Sequence, residues 1–517
     1  MINNKDSSMN DNDEQNIDKE IPKSLIINID ERNSIDSIKI TAELTKVNEE
    51  KEVNENSKDN PFNWSKRKKW FTLVVLSCGA TISPISCIMF YPAVLEVRNQ
   101  LHTTSMLTNA SISIYLIFQG IGPLGWAAYS DSRQTRKNVY IFSLILFIVA
   151  SVICAIINNI WWLIIIRIIQ ACGSSALHAI GPTTIKLGNA FGFFYLFPII
   201  GPLMGPVIGG YVTEYFGWRW IFWLMAIMGI IVLILIFFFV PETYPKRKPN
   251  TTITTTSVSS SSPNSSNRKF INPFAPLSLF RYPNLSIIIL YLSILLSFIY
   301  LQGALIPIEF SKGYNLTAAK LGLMFLSPAL GYMFGSVIGG RYADYFLKNA
   351  KRTALIAQRK EIEKIIEKDE NNMIILESIQ VEPEIRIHGT WLGSIIVSIS
   401  FLAFSWLLEY RVSIIFPIIF MFLGGFGQLL AFTTVFTYLV ESFPTQSASI
   451  NSDLTFSRQL VAGLLSLFSV PIDEALGVGW TFSLVVFLNI IGTLSVIVVL
   501  FKGKQWRLKF KQDFNLK

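Results

Sequence analysis

Apolar runs long enough to cross a bilayer recur along this chain, and that recurrence leaves few folds open to it. A hydrocarbon core about 30 Å thick needs roughly 20 apolar residues at a helical rise of about 1.5 Å. Six such runs, at about residues 70–91, 109–129, 139–157, 161–180, 190–212 and 219–240, precede a long polar break. Six more follow it, at about 285–306, 318–340, 389–408, 413–440, 454–471 and 480–501. A segment in lipid must satisfy its backbone polar groups internally, so the runs read as helices. The expected fold is an all-α membrane protein of twelve transmembrane helices.

Charge assigns the sides. Lys and Arg resist translocation and collect in cytoplasmic loops. With both tails inside, the cytoplasmic segments carry roughly 28 Lys and Arg, and the opposite loops about five: Arg98, Arg219, Lys312, Lys320 and Arg411. Charged residues are 15% of the chain and hydrophobic ones 51%, with only three His, so the net charge of +9 is not a nucleic-acid signal. The four cysteines all lie inside apolar runs and read as small buried hydrophobes rather than a disulfide framework.

Residues 1–69 are too polar to bury a core and are expected to be a disordered cytoplasmic tail. No cleavable leader pattern opens the chain, so run 70–91 is expected to act as the first targeting span. The expected layout is then a six-helix bundle at 70–240, a Ser/Thr-rich cytoplasmic linker at 241–284, and a second six-helix bundle at 285–501 with a polar insert at 341–388. A cytoplasmic tail at 502–517 closes it. In the insert, AQRKEIEKIIEKDE alternates in charge and suits an exposed helix. Two similar bundles suggest a duplicated architecture around a central path. The ends of runs two and eight, GIGPLGWAAYSD and GSVIGGRYAD, both place small residues before an Asp.

Four strings resemble one family. NPFNWSKRKKW before run one, LIIIRIIQACGSSA in run four, GPLMGPVIGG in run five and PET after run six are similar to motifs of the major facilitator superfamily, among the fungal twelve-span drug:proton antiporters. The quinidine-resistance and dityrosine exporters look nearest. The resemblance spans about residues 60–512 and implies a proton-coupled exporter of drugs, polyamines or other organic compounds in a fungal plasma membrane, with a vacuolar or spore membrane as alternatives. It also departs from the family in two places. The string DSRQTRKNVY lacks the family's Gly after Asp131, and the loop after run four is cut to GPTTIKLGN.

Arg167 is the one charge well inside a run; Arg there costs about 2.5–3.5 kcal/mol on insertion scales and must face protein or water. Gln170 shares its face. The resemblance implies proton coupling or gating for Arg167 and Gln170, and a latch between halves for Asp131 with Arg136 or Lys137. Gly201, Gly205 and Gly209 repeat every four residues and invite close helix approach, while Pro202 and Pro206 remove backbone hydrogen bonds. Packing alone leaves a hinge and ordinary tight contact equally open; the resemblance points to an antiporter hinge that also includes Gly210.

No carboxylate sits clearly at mid-membrane. The string ESFPTQSASINSDLTFSRQ resembles the family's acidic-plus-Arg cytoplasmic element, which implies Glu441, Asp453 and Arg458 as candidates, with plain loop charges at a helix end as the alternative. Tyr115, Gln119, Tyr195, Tyr300, Gln302, Tyr332 and Gln428 are candidate cavity residues, suited to bulky or cationic substrates. The chain has no GxxxxGK[ST], HExxH or GxSxG, so no ATP, hydrolytic enzyme, metal or cofactor is expected. The expected partners are a small organic substrate, protons and the lipid bilayer, with a monomeric chain and no nucleic acid. A non-transporting sensor on a transporter scaffold and an uptake symporter are the alternative functions.

Overall fold

The computed structural model describes residues 65–184, 190–242, 276–366, 383–443 and 447–515. Their regular structure is helical. We number the α-helices α1 (Lys66–Ile88), α2 (Val94–Gln100), α3 (Ser105–Arg133), α4 (Lys137–Ile156), α5 (Ile160–Thr184), α6 (Ala190–Phe216) and α7 (Arg219–Phe239) in the first half. The second half has α8 (Pro283–Tyr314), α9 (Ala318–Met324), α10 (Leu326–Ile366), α11 (Thr390–Glu409), α12 (Ile415–Ser442), α13 (Ser447–Leu476) and α14 (Val478–Asn515). Eleven membrane-length apolar helices occur among the described residues, and α6, 27 residues long, is a twelfth. The short α2 and α9 precede the second span of each half. Twelve spans return the chain to its starting side, here called the terminal face.

Local chemistry sets the helix ends. The Ser65 hydroxyl accepts from the Lys68 N–H at 3.4 Å and the Thr104 hydroxyl from the Leu107 N–H at 3.2 Å, which satisfies donors that have no intrahelical partner. Between the fifth and sixth spans of each half the chain turns on a glycine with positive φ, Gly217 at 87° and Gly477 at 85°. A left-handed backbone costs glycine least. That matched turn is a structural signature of the duplication.

The halves meet on the side away from the terminal face. On α3, the Asn109 amide donates to the Ser466 carbonyl of α13 at 2.5 Å, and the Tyr91 hydroxyl donates to the Tyr300 carbonyl of α8 at 3.3 Å. Small residues make the close approaches. A Cβ on Gly120 would press on Phe456 and Gln459, one on Gly463 on Ser113 and Ile117, and one on Gly210 would strike the Ala318 carbonyl. Outward, large apolar side chains such as Trp161, Trp162, Phe238 and Phe487 are exposed, as a lipid-facing surface requires.

Several helices outrun their apolar stretches. The run expected at 318–340 is broken at Phe325 and then continues as α10 for 41 residues, so the first part of the insert is helix up to Ile366. The run expected at 480–501 continues as α14 to Asn515. On the short connection after run four, α5 reaches Thr184, and residues 185–189 lie outside the described residues. So do residues 1–64, most of the expected linker and residues 367–382 of the insert.

Candidate substrate and coupling site

Helix α5 carries Arg167 into a fully buried position in the first half. Its guanidinium carbon stands 4.6 Å from the Tyr115 ring centre, 4.8 Å from Phe90 and 5.7 Å from Phe222, so three aromatic faces surround the charge. One guanidinium nitrogen, Nη1, donates to Gln170 Oε1 at 3.2 Å and to the Ser86 carbonyl at 3.4 Å. The other two, Nε and Nη2, have no hydrogen-bond partner. Gln170 is itself held by the Ser151 hydroxyl at 2.8 Å. Gly173 allows this packing, because a Cβ there would press into the Phe147 backbone of α4.

A polar chain continues from the arginine. The Tyr115 hydroxyl bonds Ser174 Oγ at 2.8 Å, Ser174 meets Ser83 at 3.3 Å, and Gln119 donates to Ser83 at 2.5 Å. Tyr115 and Gln119 are therefore committed to the interior network beside Arg167. In the second half, the Tyr332 hydroxyl donates to Gln302 Oε1 at 3.4 Å, Gln428 donates to the Leu295 carbonyl at 2.5 Å, and Tyr300 is buried where α8 meets the first half. Gln119, Gln302 and Gln428 each keep one unpartnered amide atom. Tyr195 lies where side chains are outside the described set.

The glycine face of α6 packs on α1: Gly201 and Gly205 lie over Pro84 and Ile85, and Gly209 over the Met89 carbonyl. The neighbouring face serves the other half, with Gly210 against Ala318 and the Pro206 carbonyl against Gly322 of α9. Pro202 lies inside α6, which runs unbroken from Ala190 to Phe216. Beyond the apolar run ending at 212, Glu214 Oε2 accepts from the Ala319 N–H at 2.8 Å, which fastens α6 to the start of α9. That N–H and the Thr317 hydroxyl hold the Glu214 carboxyl below the usual carboxylate range.

At the terminal face, Asp131 is exposed in the last turn of α3. The PET glutamate, Glu242, accepts from the Thr135 hydroxyl at 2.6 Å and the Arg136 N–H at 2.9 Å, so it caps α4, while Lys137 Nζ donates to the Phe237 carbonyl at 2.8 Å. The second half builds a tighter charge cluster. Arg386, at the end of the insert, holds Glu441 through two bonds of 2.8 and 2.7 Å and Asp344 at 2.8 Å, and Arg507 holds Glu384 at 3.0 and 3.1 Å. Arg386, Glu384 and Arg507 carry no motif in the sequence; only the Asp344 string hinted at this corner.

Asp453 and Arg458 depart from the sequence reading. Rather than ending a loop, Asp453 lies inside α13, fully buried, with both carboxylate oxygens unpartnered. Arg458 also has an unpartnered buried Nε.

Two six-span helical halves, closed together toward one face and holding a buried guanidinium and half-satisfied buried amides, have the architecture of a membrane transporter. Residues 76–467 match the Major Facilitator Superfamily, and the chain belongs to it. Among relatives, it is 29% identical over 84% of its length to the MFS-type transporter tndD of Aspergillus flavipes, covering 80% of that protein. It is 27% identical to the efflux pump radE of Floropilus chiversii, over 83% of this chain and 79% of that one. It is 22% identical to the MFS antiporter QDR3 of Candida albicans, over 85% and 78%. A crystal structure of a D-xylose-proton symporter superposes with a TM-score of 0.58 at 13% identity, covering 84% of this chain and 97% of that one. An inward-facing bacterial homolog of the human lysosomal transporter Spinster gives 0.57 at 13%, over 86% and 97%.

Proposed function

We propose that this chain is a proton-coupled antiporter that exports bulky organic compounds, drugs or polyamines among them, across a fungal plasma membrane, as a monomer with both termini cytoplasmic. The observation that carries the reading is Arg167. A guanidinium buried under three rings with two idle donor nitrogens is costly, and intramembrane charge is retained where ions or protons move. The orphaned amides of Gln302 and Gln428 supply orienting donors and acceptors for a polar organic substrate. Relatives named as an efflux pump and an antiporter support the outward direction.

The test is efflux of a labelled panel of organic cations, amino-acid derivatives and weak acids from cells expressing the chain, with and without a proton uncoupler. The expected result is uncoupler-sensitive efflux that Arg167→Ala abolishes at equal surface level. Efflux indifferent to the uncoupler, or unchanged in Arg167→Ala, would overturn the reading.

A further inference from the structure

The close contacts between α3 and α13 follow one line, and Asp453 lies one turn beyond the last of them. The two helices run antiparallel. Contacts descend from Asn109 with Ser466, through Ser113 and Ile117 with Gly463, to Gly120 with Phe456 and Gln459. One turn further toward the terminal face on α13 comes Asp453, fully buried. A carboxyl therefore sits buried one turn beyond the last of these close contacts between the halves.

Among the described residues, the apolar stretches packed against it carry no charge. Helix α8 has no charged residue between Pro283 and Glu309, α3 none between Ser105 and Asp131, and α14 none before Lys502. The remaining charges on these elements are Asp131 and Arg133 at the end of α3, Glu309 and Lys312 toward the far end of α8, Lys502 and the charges after it on α14, and Arg281 on the turn before α8; on its own helix they are Arg458, five residues on and about 140° around, and Asp473 and Glu474 toward the far end. None of them bonds to Asp453. A buried carboxylate without partner or cation is strongly disfavoured against its neutral acid. Rocking of the halves would open and close this seam, so the same carboxyl would alternate between a dry site and one reached by water.

We infer that Asp453 is the proton-binding carboxyl of the antiport cycle. The inference rests on the proton-coupled reading above. One proton adds to a carboxylate oxygen of Asp453 from water on one face and leaves from the same oxygen to water on the other, so each passage of the neutral acid through the closed seam carries one proton and no other group. Arg167 lies in the opposite half and is not the carrier.

Two measurements on the full-length purified protein test it. In the infrared spectrum at neutral pH, the wild type should show a protonated-carboxyl C=O band that disappears in Asp453→Asn and persists in Asp473→Asn. Absence of that band, or its survival in Asp453→Asn, overturns the inference whether or not transport occurs. In proteoliposomes with ethidium as the probe, Asp453→Asn should lose accumulation driven by an imposed pH gradient yet keep exchange of labelled for unlabelled ethidium, and Asp453→Glu should restore the gradient response. Gradient-driven accumulation at the wild-type rate in Asp453→Asn also overturns it. A wild type that ignores the gradient while showing the Asp453 band would count against the proposed antiport and leave the proton site standing.

Discussion

Arg386 grips Glu441 through two parallel bonds, Nε to Oε2 at 2.8 Å and Nη2 to Oε1 at 2.7 Å, so the end of the insert is fixed to the end of α12 by a planar fork. Its Nη1 takes Asp344, midway along α10. Three separate segments share one buried guanidinium. Arg386→Ala should lower stability by about 1–2 kcal/mol, less than for a fully buried pair because the Glu441 and Asp344 side chains are 41% and 73% exposed. Arg386→Lys should recover part of that, since it keeps the charge and loses the fork. Thermal unfolding in detergent checks both; equal melting temperatures for Ala, Lys and wild type would contradict the account.

The aromatic enclosure of Arg167 makes a sharper demand. A lysine cannot present a flat cation to Phe90, Tyr115 and Phe222 while also reaching Gln170. If desolvated cation–π contact is worth about 2 kcal/mol, Arg167→Lys should cut uncoupler-sensitive efflux by more than about tenfold. Efflux assays at matched surface level decide it, and a lysine variant near wild-type rate would show that charge alone suffices.

Gly322 of α9, packed against α6, should respond differently from Gly125. Gly322→Ala would push a methyl group into the Pro206 carbonyl, and backbone cannot yield as a side-chain tip can. It should cost about 1–3 kcal/mol and slow disulfide formation in an Asn109→Cys/Ser466→Cys pair that reports closure between the halves. Gly125→Ala faces open space and should be neutral or slightly stabilising through helix propensity. Equal crosslinking in the two backgrounds would remove the seal from the glycine's role.

Glu214 gives a pH dependence whose direction is fixed. Its carboxyl is depressed first by the Ala319 N–H and then by Thr317, so the tie between α6 and α9 is present above the unfolded carboxylate value and is lost as pH falls through the depressed one. The crosslinking rate of the same cysteine pair should be flat from neutral to mildly acidic pH and drop only in stronger acid. Glu214→Ala should show the low rate already at neutral pH.

Much of the fold was legible because lipid imposes a length rule on helices, and the twelve apolar runs fall on helices of the structure. What lay beyond the lipid was not legible in that way. The extensions of α10 and α14 are polar helices, and apolar run length carries no information about them. At the site, Arg167 and Gln170 stood out because a charge in an apolar run is conspicuous. Tyr115 and Gln119 were visible only as polar residues on a helix, and their engagement with Ser83 and Ser174 depends on helix packing that the chain order does not state. Asp453 was placed at a helix end because the apolar run begins only at Leu454; its burial depends on the packing of α13 with α3 and α8, which run length does not state.

Helix α10 is 41 residues long, about 60 Å at the helical rise, against a hydrocarbon core of about 30 Å. Its inner portion packs with α12, and beyond it Lys351, Arg352, Thr353, Leu355 and Ile356 are exposed, so one continuous helix joins the transport core to the solvent. Such a rod acts as a lever. A small tilt of the span becomes a large sweep at Ile366, and a load applied to that tip is felt, multiplied, at the helix's fulcrum beside Arg386.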